Sequence, residues 1–438
     1  MRTFLESLLA FLARAVVRRQ QPLIVGITGS VGKTSAREAI RAVLDADWDV
    51  RAAPKNYNNE IGLPVAIIGG RAPGRSPWRW VALLARGKWY AAVRGLRYPE
   101  ALVLEYGADH PGDLSYLLRI ARPHVAVVTA VGAAHTEFFK SVDRVASEKR
   151  KLVSVLSRDD IAVLNRDDIH VWAMTERTKA RVISYGTHED ADVRGIEYRV
   201  TSGAQGVRDK EQGTTGGFVL PGGMTFKIVA GGATVPVHLP GCLGAGHMHA
   251  ALAAAAVGLG LGMHLVEISH ALRQYQPAPG RMRIIPGIKE TALLDDSYNA
   301  SPLAVAVALH ALEQRTVPGR AIAVLGDMLE LGTLTIQEHE RIGRLAAAQS
   351  LAYLICVGAA SRQTAAAARA AGMPADRILE FSRAQEAGRF VQDLLAPGDV
   401  VLIKGSQGVR LERIVRELMA DPLRAPALLC RQDRAWTA

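Results

Sequence analysis

Residues 24–40, IVGITGSVGKTSAREAI, constrain this chain more than any other stretch. Apolar, mostly β-branched residues up to Thr28 read as a buried strand, Gly29 and Gly32 punctuate a tight turn, and a helix opens at Lys33. A strand, a glycine turn and a helix in that order make a cradle for phosphate. Backbone N–H groups from Gly29 to Lys33 and the helix N-terminus point at the anion, Lys33 supplies a cation at the β- and γ-phosphates, and the Thr34 hydroxyl can ligate Mg2+. The ATP-binding set expected here is Gly29, Ser30, Val31, Gly32, Lys33, Thr34 and Ser35. The strict pattern GxxxxGK[ST] needs glycine at Ile27, whereas the glycine stands one place earlier, at Gly26, so the loop is a variant. The plainer alternative is a glycine turn with an incidental lysine, which the flanking strand and helix disfavour.

The rest of the chain repeats that alternation. From Leu23 to about Tyr185, β-branched runs (ALVLE, HVAVVT, IAVLN, RVISYG) alternate with helical patterns, the signature of a parallel sheet with crossover helices. Between about Asp192 and Pro240, Gly- and Thr-rich stretches read as short antiparallel hairpins, and the alanine run after them returns to helix. After PAPGRMRI the α/β alternation resumes in a second doubly wound region ending near Met419. The expected fold is therefore α/β: a P-loop central ATPase domain with a parallel sheet, a small β-rich insertion, and a C-terminal doubly wound, Rossmann-like domain. Expected boundaries are 1–21 for an amphipathic N-terminal helix and 22–279 for the central domain, its β-rich part at about 190–240. The C-terminal domain spans 280–420, and 421–438 form a loosely attached tail.

Composition narrows the function classes. With 438 residues the chain exceeds one compact core, and 49% hydrophobic against 22% charged residues excludes a disordered chain. Cys242, Cys356 and Cys430 are scattered without a CxxC or Cys/His cluster, which excludes a disulfide framework and a structural zinc site and points to a reducing interior. The net charge of +11 favours polyanionic partners but selects none of them. Nucleic acid is disfavoured, since aromatic residues are only 5% and base stacking needs more.

At the N-terminus Phe4, Leu5, Leu8, Leu12, Ala15 and Val16 fall at helical spacing among Arg2, Arg14, Arg18 and Arg19. This amphipathic helix is shorter than the ~20 apolar residues a span requires, is interrupted by Glu6 and Arg14, and is followed by no small-residue cleavage site, so neither a transmembrane segment nor a signal peptide is expected. It either packs on its own domain or lies on an anionic membrane face.

Further motifs carry a resemblance. NYNNEIGLP (56–64), LEYGADHPGDL (104–114), GAAHTEFF followed by SEKRKL, LNRDD, PGRM, DDSYNASP (295–302), LGDMLELG (325–332) and LIKGS (402–406) together with GITGSVGKTS resemble the Mur ligase family over about Leu23–Leu418. The resemblance implies an ATP-dependent amide ligase. A substrate carboxylate attacks the γ-phosphate to give an acyl phosphate, which an amine then converts to an amide. It implies addition of an amino acid or dipeptide, D-alanyl-D-alanine first among them, to a muramoyl-peptide precursor in peptidoglycan synthesis. Crowding of two anions calls for two Mg2+ sites.

By the resemblance Glu105 joins Thr34 on the first Mg2+. His135 and a CO2-derived carbamate on Lys149 serve the second, giving Lys33, Lys149, His135 and Glu105 as the catalytic set. Histidine on magnesium is chemically unusual, so His135 rests on the resemblance alone. Lys151 lies close enough to Lys149 for an error of register, and a solvated helix face is the plain alternative for SEKRK. Arg281 resembles the arginine that reaches nucleotide phosphates from the domain junction, and Asp296, Tyr298 and Asn299 fall on the motif used near the ribose. Lys404 and Ser406 are expected to meet substrate, though a strand-to-helix turn explains Ser406 almost as well. Asn58 and Asn59 are expected to line the substrate cleft, and the C-terminal domain to close over ATP.

Two departures stand out. Family members carry a UDP-sugar-binding domain before the P-loop, whereas here the loop begins at Gly26 after one helix. The family's GxHNxxN-type adenine pattern is not kept in LPGCLGAGHMHAALAAAA, so neither His247 nor His249 is taken as a base contact. These features keep a second reading open, a poly-γ-glutamate synthase-like ligase, and a third of another class, a non-catalytic nucleotide-binding module. The expected partners are a small-molecule or sugar-nucleotide peptide substrate and an amino acid or dipeptide. A cytoplasmic monomer is expected, touching the inner membrane face peripherally if its first helix does so.

Overall fold

The apolar runs that read as strands form strands, and burial on both faces explains their composition. The computed structural model describes residues 2–53, 57–70, 73–74, 76–94, 97–132, 136–203, 220–315, 319–432 and 436. They fall into two units: Met1–Ile196 with Lys227–Val237 and Met248–Tyr275, and Glu197–Phe226 with His238–His247 and Gln276–Ala438.

In the first unit β1 (Leu23–Thr28), β2 (Val50–Ala52), β3 (Ala101–Glu105), β4 (Val125–Val128), β5 (Ile161–Asn165) and β6 (Arg181–Gly186) lie in the order β2-β3-β1-β4-β5-β6, all parallel. Every residue of ALVLE and VAVV is buried, as expected of a sheet covered by helices on both faces. Strand β1 sits between β3 and β4, so the chain's crossovers leave it in opposite directions. That is a topological switch point, and the crevice at the carboxyl end of β1 is where such sheets take ligands. The helices are α1 (Arg2–Gln20), α2 (Lys33–Leu44), α3 (Gly62–Ile68), α4 (Pro77–Ala92), α5 (Asp113–Ile120), α6 (Thr136–Phe139), α7 (Val142–Ser154) and α8 (Ile169–Trp172). Helix α1 buries Leu9, Leu12, Ala13 and Val16 and packs on α3 and α4. No helix among the described residues is long and apolar enough to cross a membrane.

The Gly-rich stretch departs from the expected short hairpins. Strands β7 (Val193–Gly203), β8 (Leu220–Ala230) and β9 (Ala233–Pro240) are long and extend the same sheet to nine strands. Among the described residues the β8–β9 connection is a tight hairpin, through Gly231 and Gly232, both at positive φ as a two-residue turn demands. Helices α9 (Ala245–Gly260) and α10 (Leu265–Leu272) follow, and Ala250–Val257 are buried all round, which explains the alanine run.

In the second unit β10 (Arg283–Gly287), β11 (Thr291–Asp296), β12 (Ala321–Gly326), β13 (Tyr353–Val357), β14 (Ile378–Phe381) and β15 (Val400–Lys404) take the order β10-β11-β15-β12-β13-β14, with only β10 antiparallel. Alternate residues divide between two cores. Leu294, Ala323, Cys356 and Leu402 face one, and Leu293, Val324, Ile355 and Val401 face the other. This is the double winding expected from the sequence. Helices α11 (Pro302–Glu313), α12 (Thr335–Ala347), α13 (Ser361–Ala370), α14 (Ala384–Leu394), α15 (Glu412–Leu418) and α16 (Ala425–Leu428) complete it. Of the segment expected as a loose tail, Ala425, Leu428 and Leu429 join one of the two cores, because apolar residues hidden in a polar stretch find a place there.

Candidate active site

The loop after β1 is pinned by its neighbours. At Gly29, φ is +152°, and a Cβ would stand 1.9 Å from Thr129 Oγ1, so only glycine fits. Ser30 N donates to Ala130 O at 2.7 Å, and Thr129 Oγ1 donates to Val31 O at 2.5 Å. The segment after β4 thus fixes the loop's path, a role for Thr129 that no motif announces. Lys33 folds back, its Nζ donating to Gly29 O at 2.6 Å, and Thr34 and Ser35 are buried in the first turn of α2.

Glu105 ends β3 beside β1, paired in register with Ile27, and is only 1% exposed. Arg37, one turn beyond Lys33 on α2, brings Nη1 to 2.9 Å from Glu105 Oε1. The contact is an ion pair without hydrogen-bond alignment, and Oε1 accepts no hydrogen bond. A buried carboxylate oxygen in that state can take a hard cation as a further partner. No group of three His, Cys, Asp or Glu is gathered among the described residues. Mg2+ at a nucleotide takes one or two protein oxygens and fills its octahedron with phosphates and water. Glu105 and Thr34 fit such an ion. His135 lies outside the described residues.

Helix α7 turns two charges of SEKRK inward. Glu148 Oε1 accepts from Gly112 N and Leu114 N, both at 3.1 Å, at the start of α5, and Lys149 is buried beside it. Lys151 is partly exposed and pairs with Glu148 Oε2 at 2.6 Å. Burial first, and the charge of Lys33 second, pull the Lys149 ammonium down to about 7 against the opposing pull of Asp109 and Glu148. Asn58 O accepts from Gly107 N just beyond β3, and Asn59 Oδ1 accepts from Gly62 N, starting α3.

The second unit assembles its own constellation. Asp296 ends β11 opposite Lys404 of β15, and Lys404 Nζ lies 2.7 Å from Asp296 Oδ2 while donating to Asn299 O at 2.9 Å. The Arg281 guanidinium lies 4.2 Å over the Tyr298 ring, its buried Nε without a hydrogen bond. The Asn299 side chain is exposed. Ser406 Oγ accepts from Leu329 N at 2.9 Å and donates to Ala300 O, so its hydroxyl ties loops together. Sequence reasoning missed Arg431. Its guanidinium pairs with buried Glu412, donates to Ser297 O and Tyr298 O, and lies over the Tyr298 ring. His247, at the altered adenine motif, is buried with Nε2 3.0 Å from Arg281 O, and His249 Nε2 lies 2.8 Å from Asp167 Oδ2.

Two domain families match the chain. The Mur ligase middle domain matches residues 92–257 and the Mur ligase, glutamate ligase domain residues 280–407. The UDP-N-acetylmuramoyl-tripeptide–D-alanyl-D-alanine ligase of Mycobacterium leprae is 33% identical over 91% of this chain and 74% of its own length. The chain belongs to the Mur ligase family. The enzyme of the same name from Bacillus subtilis is 26% identical over 94% of this chain and 79% of its own length. The crystal structure of MurF ligase from Thermotoga maritima in complex with ADP superposes with a TM-score of 0.75 at 26% identity, covering 94% of this chain and 83% of that one. As a Mur ligase the protein is an ATP-dependent, ADP-forming acid–amino-acid ligase that uses Mg2+, and its two sheets have the α/β architecture of the family's middle and C-terminal domains.

Proposed function

We propose that this Mur ligase adds D-alanyl-D-alanine to a UDP-N-acetylmuramoyl-tripeptide in peptidoglycan synthesis. The reading is carried by the likeness to relatives bearing that activity in their names over 91% and 94% of the chain. In the reaction a carboxylate oxygen of the tripeptide bonds to the γ-phosphorus of ATP, the bond to the bridging oxygen breaks, and ADP leaves. The dipeptide's amine nitrogen then attacks the acyl carbon, phosphate departs with the bonding electrons, and the nitrogen gives up a proton.

In our reading Gly29–Ser35 hold the phosphates through backbone N–H groups, with Lys33 as the cation beside them. Thr34 and Glu105 hold one Mg2+; His135 and a carbamate on Lys149 serve the second. Bound there, Mg2+ supplies positive charge between two anions that must meet. The buried Glu105 Oε1, which accepts no hydrogen bond, supports the first site. The inward turn of Lys149, with Lys151 facing out, supports the carbamate. Arg281, Asp296, Tyr298 and Asn299 are assigned to ATP, and Asn58, Asn59, Lys404 and Ser406 to substrate. We further take 22–279 and 280–420 as the central and C-terminal domains, acting as a cytoplasmic monomer.

The test is phosphate release from ATP with Mg2+ and bicarbonate, given UDP-N-acetylmuramoyl-tripeptide with and without D-alanyl-D-alanine, with mass spectrometry of the product. Release that needs both, with pentapeptide formed, supports the reading; an ATP-binding protein that neither substrate stimulates refutes the substrate assignment. For the carbamate, Lys149→Ala should abolish turnover and short carboxylates should restore part of it, whereas a folded variant that no carboxylate rescues counts against it.

A further inference from the structure

Helix α4, PWRWVALLARGKWYAA, is apolar on two opposite faces. One face is accounted for: Leu83 is buried and Trp80 and Leu84 partly so, in a cluster with Leu9, Leu12, Val65 and Ile68. The other is not. Trp78, Val81, Ala82, Ala85, Trp89 and Ala92 are all exposed, Trp78 at 82% and Trp89 at 55%. At ~100° per residue these six positions fall within an arc of about 100°, a continuous stripe along the helix. The same geometry puts exposed Arg79 and Arg86 along one edge of the stripe and exposed Lys88 along the other. The helix holds no Asp or Glu, and the neighbouring α1 adds exposed Phe11, Arg18 and Arg19.

Isolated apolar side chains on a surface are ordinary, but a stripe with two tryptophans and a cationic rim is not. Two copies of this face brought together would set arginine and lysine rims of the same sign against each other, which opposes a symmetric dimer. An anionic bilayer answers both features. Indole rings sit at the level of the lipid headgroups, and Lys and Arg at the rim meet anionic phosphates. We propose that α4, with α1 beside it, forms a peripheral docking surface for an anionic lipid bilayer, with Trp78 and Trp89 entering the interface and Arg79, Arg86 and Lys88 engaging headgroups. The proposal places a membrane contact chiefly on α4, whereas the sequence left only the first helix open to one, and it is independent of the substrate assignment.

Co-sedimentation of the full chain with vesicles of phosphatidylcholine alone, or mixed with phosphatidylglycerol, tests it without ATP or ligase substrates. The chain should bind the mixed vesicles, bind the neutral ones far less, and come off as salt is raised. Neutralising two rim charges in Arg79→Gln/Lys88→Gln should weaken binding about thirtyfold. Trp78→Ser/Trp89→Ser should weaken it by tenfold or more, both variants keeping wild-type ATP binding as a check of folding. Wild-type protein that ignores anionic vesicles overturns the proposal, as do variants that bind like wild type. So does a solution dimer that Trp78→Ser/Trp89→Ser converts to monomer, since the face would then meet a second copy.

Discussion

Lys404→Met is the sharpest test of how the second unit is held together. The substitution keeps the length and apolar stem of the side chain and removes its charge. Lys404 is 2% exposed, and its partner Asp296, 10% exposed, lies 2.7 Å away. Removing one member of a buried pair costs about 3–5 kcal/mol, because the other charge stays behind unpaired. Asp296 keeps one hydrogen bond, from Met282 N at 3.2 Å, which places the cost near the lower end at about 3 kcal/mol. Loss of the donor to Asn299 O adds about 1 kcal/mol. At ~2–4 °C per kcal/mol for a unit of this size, the corresponding calorimetric transition should fall by roughly 8–16 °C. Lys404→Met/Asp296→Leu, which removes both charges, should recover most of that loss. A single variant that melts with the wild type would refute the reasoning, whatever its effect on turnover.

Gly29→Ala forces a methyl group into Thr129 Oγ1, and nucleotide affinity should drop about tenfold to a hundredfold by calorimetric titration with ADP. Arg431→Leu removes the donors to Ser297 O and Tyr298 O and breaks the pair with Glu412, which keeps Arg410 at 2.5 Å. We expect about 2–3 kcal/mol of destabilisation in urea and a KM for ATP that rises more than kcat falls, partly restored in Arg431→Lys. Burial holds the His247 imidazole down to about 4, so the unfolded chain takes up that proton first and stability is lost as pH falls from about 6.5 to 4. Burial lifts Asp295 to about 6, so the unfolded chain releases that proton first and stability is lost as pH rises from about 4 to 6. Each is worth up to about 3 kcal/mol, and the opposed slopes should nearly cancel in the wild type. Urea midpoints across this window should fall with rising pH in His247→Gln and climb with it in Asp295→Asn.

What the sequence showed was set by how local the physics is. The strand, turn and helix around Gly29–Lys33 depend on residues in contact along the chain, and β-branched runs buried on both faces betray a parallel sheet without knowledge of their neighbours. Thr129 and Arg431 were invisible for the opposite reason. They act on Val31 and Tyr298 across about a hundred residues or more, and neither belongs to a pattern that chemistry requires at fixed spacing. The docking of 425–429 and the joining of β7–β9 to the first sheet are likewise long-range pairings. Helix α4 hid its exposed stripe because a helix apolar on two opposite faces cannot reveal which of them meets the core. Lys149 and Lys151 show the boundary: the resemblance pointed to one of two nearby lysines, and their different burial on α7 could not be read from the chain.

Charge around the loop explains why these residues are worth burying. Lys33 and Arg37 bring cations to the carboxyl ends of β1 and β3, Lys149 is buried nearby, and Glu105 and Glu148 are buried carboxylates among them. Glu148 is spent on the backbone of α5 and on Lys151, and Glu105 meets Arg37 without a well-formed hydrogen bond. Such a set is not at its lowest energy in the ligand-free chain, because burial penalises each charge and the pairs compensate incompletely. With the proposed site residues, a triphosphate carrying Mg2+ would supply anionic oxygens for Lys33 and a cation for Glu105 at once. Nucleotide binding should therefore stabilise the first unit beyond what phosphate contacts alone return, and Glu105→Gln should reduce the Mg2+-dependent part of that stabilisation while leaving the Mg2+-free part in place.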